Sequence, residues 1–222
     1  MEPTFFQKHP LFKDLLSLGG FIAAIVLGTI FLNTFIYRSY NVVGGSMENT
    51  LHQDDRVIVN RAAVSWAHFI GQEYVPERGQ IIVFLNEDET KVKEYQAQGI
   101  EHPMTCTLPS NVNDQYIIKR VIAFPGERVV VKDGVMTIYN EENPDGFVYD
   151  TEWRKSETDG PKAHTSGEVD TTVPEGELFV SGDNREGNNS WDSRNGLGTI
   201  PYCRIIGPVM FRLFPFDKIR AF

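Results

Sequence analysis

From Leu15 to Ile36 the chain carries no charge, and its polar positions are limited to Ser17, Thr29, Asn33 and Thr34. At a helical rise of about 1.5 Å per residue, that run matches the roughly 30 Å hydrocarbon core of a bilayer. It is longer than the apolar region of a cleavable leader and has no small-x-small site behind it, so it reads as a transmembrane anchor over 15–37, preceded by a short segment, 1–14. Beyond Arg38 the continuous apolar pattern gives way to short β-branched runs bounded by Asp, Gly and Pro. Arg56–Asn60, Gln80–Phe84, Tyr116–Ala123, Arg128–Lys132, Met136–Tyr139, Glu177–Ser181 and Ile205–Leu213 are predicted strands, with Asp133-Gly134 as a tight turn between two of them. No helical period is sustained after the anchor, so residues 38–222 are expected to form a mainly β ectodomain. Residues 140–173 are rich in Glu, Asp, Thr, Ser and Gly and predict an inserted lobe or loop. Trp66, Phe69, Ile70 and Tyr74 fall between two predicted strands, where they serve either as an apolar lip at the bilayer interface or as core.

Charge narrows the partners. The chain has 21 basic against 30 acidic residues, a formal net charge of -9 and a pI near 5.1. Without a cluster of Lys and Arg it lacks the electrostatic footprint of a nucleic-acid binder. Lys8 and Lys13 precede the apolar span and Arg38 follows it, a bias that keeps the N-terminus cytoplasmic and exports the rest. The five histidines are scattered and neither C-x-x-C nor H-E-x-x-H occurs, so no metal site and no cofactor is expected. Cys106 and Cys203 are the two cysteines; one disulfide and two separate buried thiols both fit.

Three polar groups stand out against this background. In the strand over Tyr116–Ala123, alternation puts Ile117, Lys119 and Val121 on one face; if that face is the core side, desolvation lowers the lysine pKa and makes it a base. Just after the anchor, Val42-Val43-Gly44-Gly45-Ser46 presents a serine on a tight bend that a carbonyl can approach closely. It is not the G-x-S-x-G elbow, because Glu48 occupies the second glycine position. The third stretch, Gly182 to Gly196, is dense in Asp, Asn, Ser and Arg and can pin a loop through Asx turns and Asp–Arg pairs.

Together the three stretches resemble the type I signal peptidases. Ser46, Met47, Thr50 and Leu51 match the family's Ser-Met-x-Pro-Thr-Leu box, Lys119 to Glu127 match its lysine box throughout, and Gly182–Arg185 with Asn189–Arg194 match its last box. The likeness runs from about Val42 to Pro215. It implies an antiparallel, barrel-like catalytic ectodomain on a single membrane helix, and a serine endopeptidase that removes signal peptides from exported precursors after a small-x-small motif. By the same resemblance Ser46 is the nucleophile and Lys119 its base, and Ser190 orients the amine. Asp192, Arg194, Asp183, Arg185 and Arg120 support the site, while Val42, Gly44, Gly45, Gln115 and Ile117 flank the substrate and the oxyanion. Two departures are visible: Asn49 stands where the family has proline, and three residues, Glu186 to Asn188, stand where it usually has one. The competing readings are a repressor-type Ser-Lys protease, which would carry a DNA-binding domain in place of the anchor; a hydrolase pairing Ser46 with His52, His102 or His164; and a membrane-tethered binding module.

Overall fold

The computed structural model describes residues 10–48, 50–86, 115–149 and 164–222. It opens on α1 (Pro10–Phe31), extended by one π turn over Leu32–Ile36. Proline suits the first helical turn, where its missing N–H has no partner to lose. Within the helix the polar side chains bond backward, Thr29 Oγ1 to the Ile25 carbonyl at 2.8 Å and Asn33 Nδ2 to the Thr29 carbonyl at 2.9 Å. That is how polar groups are satisfied where water is absent. Within Leu11–Ile36 an 18-residue stretch has a mean hydropathy of 2.4, and none of that stretch is buried against the rest of the chain. This one helix is long and apolar enough to cross a membrane.

The remainder is mainly β and antiparallel. The larger sheet follows the order β1 (Tyr37–Asn41), β2 (Arg56–Asn60), β11 (Ile205–Phe214), β3 (Ile81–Asn86), β4 (Gln115–Ala123), β9 (Glu177–Ser181) and β10 (Ile200–Pro201), with β12 (Arg220–Ala221) paired to β11. A four-stranded sheet is ordered β7 (Phe147–Val148), β6 (Val135–Tyr139), β5 (Arg128–Lys132) and β8 (Val169–Thr172). In β2, Val57 and Val59 are buried and Arg56 is exposed, as period-two patterning requires of a strand with one wet face. Ile81 to Leu85 in β3 are all buried, because that strand lies between β11 and β4.

The eight-residue helix α2 (Ala62–Phe69) lies within the mainly β part, where no sustained helical period announced it. Its two turns are too short to display a period, and its buried pair, Val64 and Ala67, is only three residues apart. It sits beside the end of the anchor, with the Arg61 N–H donating to the Ile36 carbonyl at 2.8 Å. Within 140–173, the strands β7 and β8 belong to the four-stranded sheet, while 150–163 lie outside the described residues. Cys203 is disulfide-bonded; Cys106 lies outside the described residues, as do Asn49 and His102.

Strand β4 joins three apolar clusters. Ile118 packs against Val42, Met47, Leu51 and Val57; Ile117 and Val121 belong with Ile82, Phe84, Leu178 and Val180; Ile122 and Ala123 meet Val129, Ile138 and Phe179 across the second sheet. Each fully buried side chain of this kind contributes roughly 1.5–3 kcal/mol, so the position of β4 is fixed from several sides. It pairs with β3 from Asn86↔Gln115 to Ile81↔Arg120 but with β9 only from Arg120 onward. Among the described residues, its other edge before Arg120 is therefore unpaired in the sheet.

Candidate active site

Lys119 is 4% exposed, on a strand whose next same-face residue, Val121, is wholly buried. Its Nζ lies 2.7 Å from Ser46 Oγ, within hydrogen-bond distance across 73 positions of sequence. Burial lowers the lysine pKa from 10.5 to about 8, opposed by the carboxylates of Asp192 and Asp183 and aided by the Arg194 charge. About a tenth of the amine is thus unprotonated at pH 7, far more than at its ordinary pKa, and available to accept a hydroxyl proton.

The serine is held by its own loop and by a distant one. Gly44 adopts φ +86°, a left-handed conformation that side-chain-bearing residues rarely take, and its N–H donates to Gln53 Oε1 at 2.6 Å. Met47 and Leu51, both fully buried, fix the turn that follows, in which the Met47 carbonyl accepts the N–H groups of Thr50 and Leu51. From the third stretch, Asn184 donates its backbone N–H to the Ser46 carbonyl and its Nδ2 to the Gly45 carbonyl, each at 3.0 Å. The Ser46 N–H itself donates to no other described residue.

That stretch is built on two buried carboxylates. Asp183 takes a two-point contact from Arg120 at 2.8 and 2.6 Å and the Thr50 hydroxyl at 2.6 Å, so one acid ties β4 to the serine loop. Asp192 accepts Arg194 Nε and Nη2 at 3.0 and 2.9 Å, the Gly182 N–H at 2.9 Å and the Ser190 hydroxyl at 2.7 Å. Burial by itself would raise the Asp192 pKa, but the Arg194 contacts and the other donors outweigh it and hold the carboxyl below its usual range. Arg194 also bonds the carbonyls of Ser166 and Arg185, and Arg185 Nε bonds that of Gly182 at 2.6 Å. At Gly182 a Cβ would lie 2.2 Å from Ser190 Oγ and 2.3 Å from the Ser46 carbonyl oxygen. Only glycine lets the two serine loops close on each other there.

The structure thus brings Ser46, Lys119, Ser190, Asp192, Arg194, Asp183, Arg185 and Arg120 into one network. Ser190, assigned by resemblance to the amine, is turned to Asp192; among the described residues the hydrogen bond of Lys119 goes to Ser46. His52 sits 3.9 Å from Asp55, and His164 3.4 Å from the Ser166 hydroxyl, so neither is placed as a partner of Ser46. Asn184 and Gln53 are pinning residues that sequence reasoning passed over. Asn184 lies inside a matched box, so that box was the signal available, whereas Gln53 offered none. No cluster suited to a metal ion occurs among the described residues.

A groove of about 600 Å³ runs past the pair, walled by residues 40–46 on one side and by Tyr116–Lys119 on the other, with Asn189 and Trp191 from the loop that carries Ser190. Val42, Gly44, Gly45 and Ile117 line it as expected. Gln115 is placed by its backbone in β4. Trp66, Phe69 and Ile70 are exposed on and after α2 and are not part of the groove wall.

The family described as signal peptidase, peptidase S26, matches residues 15–214. Signal peptidase I T of Bacillus subtilis is 31% identical over 203 residues, covering 91% of this chain and 86% of that protein. A signal peptidase I of Bacillus amyloliquefaciens is 32% identical over 203 residues, with the same two shares, 91% and 86%. Among solved structures, a signal peptidase I from Enterococcus faecalis is 26% identical and overlaps 60% of this chain and 96% of that one, at a TM-score of 0.36.

Proposed function

We infer the reaction from one premise: this chain belongs to the signal peptidases of peptidase family S26 and is a serine endopeptidase. It removes signal peptides from exported precursors with a Ser-Lys dyad. Ser46 Oγ attacks the scissile carbonyl carbon while its proton passes to neutral Lys119 Nζ. The tetrahedral oxyanion takes the Ser46 N–H as one donor. Because Gly44 has no hydroxyl and its N–H is held by Gln53, the second donor is water or another backbone group. The protonated lysine then gives its proton to the leaving amine as the C–N bond breaks, and water, deprotonated by the regenerated amine, hydrolyses the Ser46 ester.

The observation that carries this reading is the 2.7 Å contact between a hydroxyl and an amine whose pKa burial has lowered to about 8. Substrate geometry is supported by the edge of β4 before Arg120, unpaired among the described residues, which offers backbone groups to an extended peptide lying between it and 42–45. Val42 and Ile117 beside such a strand leave shallow space, suited to small residues at −1 and −3. The anchor at 15–37 holds the N-terminal segment 1–14 in the cytoplasm and the catalytic part, 38–222, outside. Trp66, Phe69 and Ile70 form a lip at the bilayer, a role favoured by their exposure and by the bond between Arg61 and the last turn of the span.

The test is cleavage of a secretory precursor by detergent-solubilised protein. Ser46→Ala and Lys119→Ala each lose roughly 10⁴-fold or more in kcat while retaining the wild-type circular-dichroism spectrum. Lys119→Arg fails as well, since guanidinium does not release its proton. Normal cleavage by any of the three ends the dyad assignment.

A further inference from the structure

On the groove walls, several residues before Ser46 and Lys119, two tyrosines stack with an arginine. The rings of Tyr40 and Tyr116, one from each wall, lie 5.0 Å apart at 52°, and the Arg38 guanidinium sits 5.5 Å from the centre of each. Tyr40 and Tyr116 both line the groove. The Tyr40 hydroxyl is buried and makes no well-formed hydrogen bond, its polar neighbour being the Arg38 guanidinium of the same stack. Such a group is costly to leave unpaired in a folded chain and is commonly explained by an absent partner. Arg38 stays exposed, so its charge is available to whatever passes over the stack.

Position says what passes. Arg38 is two residues beyond the end of the membrane span at Ile36. Tyr116 precedes Lys119 by three positions and Tyr40 precedes Gly45 by five, which at about 3.3 Å per residue is the length of three to five extended substrate residues. An apolar segment emerging from the bilayer reaches this stack just before its cleavage region enters the groove.

We propose that Arg38, Tyr40 and Tyr116 form an upstream subsite that takes the substrate residues about four to six positions before the scissile bond, accepting a carbonyl or carboxylate there and rejecting Lys or Arg. The inference rests on the signal-peptidase reading of the same groove. Arg38, held on two ring faces, cannot swing away from a like charge without losing both contacts. The Tyr40 hydroxyl donates to a backbone carbonyl of the extended peptide, a contact that does not depend on sequence.

The experiment uses the full chain in detergent with three precursors that differ only at position −5, carrying Gln, Glu or Lys, with alanine at −1 and −3. Wild type cleaves the Glu substrate with a kcat/KM about tenfold above the Lys substrate. Arg38→Gln levels that ratio, the Gln substrate serving as internal reference in each variant. Tyr40→Phe raises KM a few-fold for all three substrates alike, with kcat little changed. Equal rates for Glu and Lys in wild type, or a preference that survives Arg38→Gln, overturns the subsite and leaves the dyad standing. Failure of wild type to cleave any of the three takes down the parent reading and this inference with it.

Discussion

At Lys119 stability and reactivity pull against each other. The folded pKa, about 8, lies below the ordinary 10.5, so between these values the unfolded chain binds the extra proton. The penalty on the folded state is therefore complete below pH 8, shrinks as pH rises, and is gone above 10.5. At pH 7 it amounts to roughly 3 kcal/mol. Lys119→Met, which fills similar space without charge, is expected to raise the urea midpoint at pH 7 and to give no such gain at pH 10.5. An equal gain at both pH values would show that the amine is not held out of water. On the proposed mechanism the same shift governs turnover, since only the neutral amine accepts the Ser46 proton. The rate of precursor cleavage should rise through a midpoint near pH 8 and level off above it; a flat profile from pH 6 to 10 contradicts the role given to Lys119.

At the scale of elements, the site depends on two loops being locked to β4, and the lock is ionic. Asp183 is the shared acceptor of Arg120 from β4 and Thr50 from the serine loop, all three buried. Asp183→Ala removes the two-point partner of a buried guanidinium, a change expected to cost about 3–5 kcal/mol in chemical denaturation and to lower kcat together with it. Asp183→Asn, which keeps the shape, should retain more of both.

What could be read beforehand follows the same division. Alternation along Ile117, Lys119 and Val121 was enough to put the amine on one face with two aliphatic side chains, because side-chain direction in a strand is a local property, whereas which face is the core side is decided by the fold. The partner of Ser190 was not readable, since Lys119, Asp192 and Gly182 compete for it and only the closed loop decides. Nor was α2, whose two turns bury just Val64 and Ala67. Arg78 is a further case: it reaches Glu127 at 2.6 Å and lies over the ring of Phe124 at 4.8 Å, binding the two sheets through residues more than forty positions away.

In the whole molecule, anchor and catalytic body meet over a narrow seam. No residue of α1 or its π turn enters any of the three apolar clusters, and the contacts that join the two regions run through β1, α2 and the Arg61–Ile36 bond. Removal of residues 1–36 therefore takes away little of the folding energy of the rest, and the shortened chain is expected to unfold within about 1 kcal/mol of the full protein. Its chemistry should persist toward a short peptide spanning the cleavage site, because Ser46, Lys119 and the pinning loops are all retained. Toward a precursor whose signal peptide is already inserted in vesicles it should slow by 10²-fold or more, since the helix that confines enzyme and substrate to one surface, and so raises their effective concentration, is gone. The residual vesicle binding of the shortened chain then reports on Trp66, Phe69 and Ile70. Replacing Trp66 and Phe69 by serine should release it into solution, and retention of both variants on the vesicles would assign those exposed rings to something other than the bilayer.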